Sequence, residues 1–348
     1  MTTFRLATEA DDALIRSILR DNGVPTWVEM TVEHEPSFFA GKNMVGQEWA
    51  VLAEESSDVV GMYTAAILPV HVNGRQERLG YLGGLRVYPR HRRRIRHLRE
   101  GYASIRPLAP VAGTLPWWFT VVSAENAAAK RLLESGVPSL PAYYLQGEYA
   151  TLGLPTARGK DMGLWRRARE DDLHRILEFH NAQAARLQFS PVLGEAVVRG
   201  IGIDRFFVHE PAKTLLGVAA LWDQRAFKQI VARRYRRPIG TLIPAYNAYA
   251  KLFRRIPLPP EGRMLEQTFI AFLALVDEVL AQGPALLQDL LSHCATPVAS
   301  LGLHAAHPLL PALRELKPMR YPARIYAVGF EGRPDLNGLP AQPEVALL

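Results

Sequence analysis

Apolar positions along the chain recur with two periods, and the order in which these periods alternate is itself repeated. Residues 4–7 form a short β-type run that leads through Glu9 and Asp11 into a stretch with helical apolar spacing around Ile15. Residues 164–168 do the same through Glu170 and Asp172 into the stretch around Ile176. Arg5, Ala7, Glu9, Asp11 and Ile15 match Arg166, Ala168, Glu170, Asp172 and Ile176 at one constant offset, which marks an internal repeat. The acidic residues suit a helix start, where they cap free N–H groups and meet the positive end of the dipole.

A hairpin pattern follows in each copy. Residues 49–53 and 59–64 form one, and residues 206–209 and 214–221 form the other. The returning strands open alike, Val59-Val60-Gly61 against Leu215-Leu216-Gly217. The first copy continues as strand 81–87, an arginine-rich turn, helix 92–106, strand 117–122, helix 126–135 and strand 143–150. The second continues as strand 266–275, helix 285–292, strand 298–304, short helix 308–316 and strand 324–330. Residues 227–260 form a basic insertion without a counterpart. The expected architecture is α/β with mixed sheets in two tandem domains, 1–151 and 163–348, joined by a Gly- and Pro-containing linker at 152–162. The Pro-rich tail from Arg333 packs as an extended strand or stays loose.

Composition adds limits. A chain of 348 residues is long for one core. The longest apolar run falls short of the roughly 18 residues a membrane span needs, so no membrane partner is expected. Cys294 is the only cysteine and the start lacks a secretory pattern, which together point to a cytoplasmic setting. The net charge of +7 favours phosphates, carboxylates or an acidic protein as partners. Nucleic acid is not expected, because the arginines lack interleaved aromatics. No metal-ligand spacing occurs.

This order of elements, together with two motifs, resembles the GNAT family of N-acetyltransferases over nearly the full length. Leu85-Arg86-Val87-Tyr88-Pro89-Arg90-His91-Arg92 is similar to that family's central strand and its exit. Asn126-Ala127-Ala128-Ala129, with Leu132 and Gly136, is similar to its later asparagine-alanine helix. The resemblance implies an acyl-CoA co-substrate, acetyl-CoA or a longer acyl-CoA. Its pantetheine would lie along Leu85, Arg86 and Val87 like an added strand, and its adenosine arm along Asn126 and Ala129. Its pyrophosphate would meet the next helix start. Where the family carries glycines, this chain has Arg92, Arg93, Arg94, Ile95 and Arg96, whose guanidinium groups would take over the phosphate contacts.

The reaction implied is transfer of the acyl group to an amine of a small molecule or peptide. The family's tyrosine acid is replaced by Leu133; Tyr143 and Tyr144 stand nearby but read as packing residues. Glu77 and Glu125 are close in sequence to a base position, and both also suit ordinary surface carboxylates. The catalytic residues therefore stay unassigned. In the second copy Asp277 and Glu278 would repel a diphosphate, and His304 and His307 read as packing or capping groups, so a cofactor is not expected there. Two alternatives keep the fold: an acidic acyl carrier protein as donor, drawn to the stretch from Arg90 to Arg99 and to the insertion with Arg233, Arg234, Arg236 and Arg237, or a binding protein without catalysis.

Overall fold

The computed structural model describes residues 2–25, 27–56, 58–88, 91, 95–108, 113–137 and 140–348. The first half runs β1 (Thr2–Leu6), α1 (Asp12–Asp21), β2 (Val24–Pro25), β3 (Val28–Glu33), β4 (Gln47–Glu55), β5 (Asp58–Val72), β6 (Arg75–Val87), α2 (Ile95–Leu108), β7 (Trp117–Ser123), α3 (Ala127–Leu133) and β8 (Ala142–Pro155). The second runs β9 (Arg166–Arg167), α4 (Leu173–Ala184), α5 (Glu195–Ile201), β10 (Phe206–His209), β11 (Gly217–Trp222), β12 (Gln229–Tyr235), α6 (Ile239–Leu252), β13 (Arg263–Met264), β14 (Gln267–Leu275), α7 (Gly283–Ser292), β15 (Val298–His304), α8 (Leu309–Ala312) and β16 (Met319–Gly329).

Twelve strands make one sheet, ordered β1-β4-β5-β6-β7-β16-β8-β15-β14-β11-β10-β9. The two halves meet at its centre by exchanging strands. β8 ends the first half in sequence but pairs with β15, from Val298↔Pro155 to His304↔Tyr149. β16 ends the second half but pairs with β7, from Ala323↔Ser123 to Gly329↔Trp117. The two exchanged strands also pair with each other. Residues 152–155, expected to begin a linker, complete β8 instead, because Leu152 and Leu154 are fully buried between sheet and helices.

The sequence repeat has a structural meaning. The Arg5 guanidinium forks onto both oxygens of Asp11 at 2.8 Å, while its Nε donates to Glu54 on β4. Asp11 also accepts the Thr8 N–H, closing the first helical turn. In the second half Arg166 forks onto Asp172 and reaches Glu210, and Asp172 accepts the Arg169 N–H. One arginine thus ties strand, helix start and hairpin together in each half. Bidentate charge-assisted pairs fix geometry as well as charge, which accounts for the recurrence of Arg and Asp at matching positions.

β5 and β6 extend well beyond the residues expected, because Asn73 and Gly74, with φ of 53° and 82°, form the tight turn that suits the twist of a hairpin. The basic insertion contains strand β12, which pairs with β3 from Gln229↔Glu33 to Tyr235↔Val28. With β13 and β2 these form a second, four-stranded sheet. The buried Glu33 carboxylate receives the Arg233 guanidinium and anchors this sheet. The tail packs against the protein: Tyr149 Oη donates to the Pro343 carbonyl at 2.7 Å, and Ala341, Val345 and Ala346 are buried.

Candidate functional site

Parallel strands β6 and β7 pair only at Gly80↔Trp118 and Tyr81↔Phe119, then part. On its other edge β6 stays paired with β5 as far as Gly61↔Val87. β7 meanwhile stays paired with β16 to Ser123. A wedge therefore opens at the C-terminal ends of two neighbouring parallel strands, the position where open α/β sheets receive ligands. Thr120 Oγ1 donates to the Leu82 carbonyl at 2.7 Å across its apex.

At the wedge β6 bulges. The register against β5 slips between Met62↔Arg86 and Thr64↔Gly83, leaving Gly84 and Leu85 opposite one residue. Gly84 has φ +58°, and a Cβ there would sit 2.4 Å from Thr64 Oγ1. Both backbone and space demand glycine at this point.

The bulge borders a cavity of about 180 Å³ that also reaches His34, Glu48, Thr64 and Lys228 and is closed by Leu348. Lys42 Nζ lies 3.1 Å from Glu48 Oε2. Burial, helped by Lys42 and Lys228, pushes the His34 imidazole down to about 3, and its buried Nδ1 has no hydrogen-bond partner. Burial and the neighbouring Lys42 likewise push the Lys228 ammonium down to about 8. Its Nζ donates to the backbone oxygens of Leu348 at 2.6 Å and Ala346 at 3.3 Å. The cavity thus presents a carboxylate, a neutral imidazole and a depressed ammonium to a small polar group. None of these side chains figures among the expected site residues. His34 directly follows β3, Lys42 lies between β3 and β4, Glu48 is on β4 and Lys228 directly precedes β12, segments that no motif joins.

The expected contacts distribute unevenly. Leu85, Arg86 and Val87 lie on the parting stretch of β6, with Leu85 half exposed and Arg86 Nη1 donating to the Leu85 carbonyl. Asn126 caps α3, accepting the Ala129 N–H at 3.0 Å, at the end of the wedge where β7 leads into this helix. Ile95 begins the α2 backbone. Arg96 is exposed and pairs with Glu100 at 2.8 Å. Arg90, Arg92, Arg93 and Arg94 lie outside the described residues. Tyr143 bonds to the Tyr102 hydroxyl on α2, and the Arg333 guanidinium lies over the Tyr144 ring. Glu77 stands along β6 opposite Val70, and the exposed Glu125 precedes α3; neither lines the cavity. His304 and His307 accept the N–H groups of Ala306 and Leu309 as turn caps. Among the described residues two clusters have metal-ligand proximity that spacing alone did not reveal, Glu55 with His91 and His97, and Asp161 with Asp289 and His293.

The second half repeats the geometry. β14 and β15 pair in parallel from Gln267↔Val298 to Phe269↔Ser300, and β14 bulges against β11 at Phe272, whose φ is +52°. Here the tail lies in the wedge. Gln342 bonds to the backbone of Gly302 and His304, and Glu344 accepts the Phe272 N–H at 2.8 Å. Burial raises the Glu344 carboxyl to about 7 despite these bonds.

Residues 29–99 match the family model for the acetyltransferase (GNAT) domain, a stretch that runs from β3 through β6 into α2. No curated protein matches the chain. Among solved structures, Saccharomyces cerevisiae N-myristoyltransferase with bound myristoyl-CoA is similar at a TM-score of 0.58 and 12% identity, over 97% of this chain and 88% of that one. A second structure of that enzyme aligns at a TM-score of 0.60 and 12% identity, covering 94% and 78%. A GCN5-related N-acetyltransferase from Anabaena variabilis aligns at 0.50 and 13% identity, covering 94% and 72%. Identities this low speak for the fold, and the domain match includes β6, one of the two strands that build the first wedge. Residues 29–99 thus carry a GNAT-domain match, and the chain as a whole shares the fold of these structures, a mixed α/β sheet in which two halves of like geometry are joined in tandem.

Proposed function

We propose that the protein is an acyl-CoA-dependent N-acyltransferase whose donor lies in the β6–β7 wedge and whose amine acceptor enters the adjoining cavity. The observation that carries this reading is the Gly84 bulge, where a strand parting from its neighbour meets a partly open cavity that His34, Glu48 and Lys228 help to line. The structural relatives with bound myristoyl-CoA support an acyl-CoA donor. The second half supplies the chemical precedent: there the N–H at the matching position, Phe272, holds a carboxylate oxygen. The bulge N–H of the first half would hold the thioester oxygen in the same way, favouring the charge that develops as the amine attacks. Pantetheine would run along Leu85, Arg86 and Val87, with the diphosphate toward α2 and Asn126, Ala129 beside the distal arm.

Transfer forms the amide N–C bond and breaks the C–S bond, and the thiolate of CoA takes up a proton. Glu48 is the proposed base for the amine proton, since it is the side-chain carboxylate that lines the cavity among the described residues. His34 is held neutral and can orient the amine by accepting its hydrogen bond at Nδ1. We assign the site to repeat 1–151 and read repeat 163–348, beyond the joining segment at 152–162, as a partner that walls the cavity with Lys228 and the tail. The test is calorimetric titration with acetyl-CoA and longer acyl-CoAs. Saturable binding of at least one is expected, and heat from none at millimolar concentration overturns the proposal.

A further inference from the structure

α6 stands outside the machinery just described and differs from the other helices in what it shows to water. Its inner face is fixed to the second sheet: Ile243 and Ala250 are buried, and Ile243 packs with Val28, Ala232 and Tyr235. Asn247 exchanges two hydrogen bonds with the backbone of Leu258, and Tyr246 Oη donates to the Ile256 carbonyl. The helix is therefore held in place without its outer face. That face is apolar. Leu242 is 58% exposed, Tyr249 45%, Leu252 76% and Phe253 52%. These positions share one side of the helix, so they form a ridge about 15 Å long at 1.5 Å per residue. The Tyr249 and Phe253 rings pack against each other at 4.6 Å.

The charge around the ridge is of one sign. Residues 224–260 contain nine arginines and lysines and no aspartate or glutamate, so nothing in the segment neutralises them internally. Arg225, Arg233 and Arg234 are paired with Asp223, Glu33 and Glu29, and Lys228 faces the cavity. The remaining five sit at the two ends of the ridge. Arg236 and Arg237 precede α6, while Lys251, Arg254 and Arg255 surround its end, and none has an ion-pair partner among the described residues.

We propose that α6 docks the protein on an anionic lipid surface. A convex ridge of leucine and aromatic side chains flanked by unpaired cations fits the headgroup boundary of a bilayer, where apolar tips enter and guanidinium groups meet phosphates. A folded acidic protein would instead call for a groove or a mix of charges, and the ridge offers neither. Nothing here requires a spanning segment, and no helix among the described residues is long and apolar enough to cross a membrane. The proposal departs from the expectation of no membrane partner, which rested on that length.

Sedimentation with phosphatidylcholine vesicles, with and without about 30% phosphatidylglycerol, tests this on the full chain. Binding to the anionic vesicles is expected to exceed binding to neutral ones by roughly tenfold and to fall in high salt. Leu252→Asp with Phe253→Asp should abolish it, and Arg236→Glu with Arg237→Glu should weaken it about fivefold or more. Circular dichroism is the check that each variant is folded. Absence of anionic-vesicle binding by the unaltered protein, or binding unchanged by the Leu252 and Phe253 substitutions, overturns the proposal. So does tighter binding of an acidic acyl carrier protein or of DNA that displaces the vesicles.

Discussion

The two strand wedges share topology and bulge but differ in what fills them. In the first, Gly84 adopts φ +58° without a side chain and the bulge borders a cavity. In the second, Phe272 adopts nearly the same backbone at φ +52° and sends its ring into the core, where it stacks on Trp222 and Phe206. Left-handed backbone costs a non-glycine residue roughly 1–2 kcal/mol, a strain that persists only where packing holds it. The tail then occupies the wedge and Glu344 takes the N–H that the first half would offer to a thioester. A wedge geometry present in both halves is, in the second, an attachment point for the chain's own tail. That tail continues into the first half's cavity, so the closed wedge helps to shape the open one.

Glu48→Gln should break the open side most severely. With a general base removed, turnover should fall by roughly 100-fold or more while acyl-CoA affinity stays within about twofold. Steady-state rates and calorimetry on one preparation separate these effects, and an unchanged rate would remove Glu48 from the mechanism. The closed side is probed by pH. The Glu344 carboxyl is raised to about 7, above its unfolded range, so its protonated form is the one favoured by folding. Its contribution is complete below about pH 4.5 and is lost as pH rises through 7, a change on the order of 2 kcal/mol. Urea unfolding between pH 5 and 8 should show this decline in the unaltered protein and a flatter profile in Glu344→Ala. The smallest effect is expected at Asn126. Loss of the α3 cap by Asn126→Ala should cost about 1 kcal/mol and weaken acyl-CoA binding about fivefold.

Much of the fold was legible because its signals are local. The Arg5–Asp11 and Arg166–Asp172 matches mark one clamp built twice, and hairpin alternation placed β4, β5, β10 and β11. Strand exchange was not legible: β8 and β16 carry ordinary strand patterns, and nothing in their residues says which half supplies the neighbour. β3 and β12 escaped notice because their partners lie some 200 residues apart, as Arg233 and Glu33 do. Asn73-Gly74 was a turn signal that could have extended the central hairpin. Of the proposed site, part lies in residues the sequence singles out. Leu85, Arg86, Val87 and Asn126 belong to contiguous motifs and fall along the wedge. His34, Glu48 and Lys228 share no motif, and only the tertiary fold brings them to one cavity.

The most direct measurement is the stoichiometry of acyl-CoA binding by calorimetry in the unaltered chain, in Gly84→Val and in Glu344→Ala. A valine at φ +58° would place Cβ 2.4 Å from Thr64 Oγ1 and push side-chain atoms into the bulge. One equivalent should bind to the unaltered chain and to Glu344→Ala, and none to Gly84→Val. Two equivalents, or undiminished binding by Gly84→Val, would contradict a single donor site in the β6–β7 wedge.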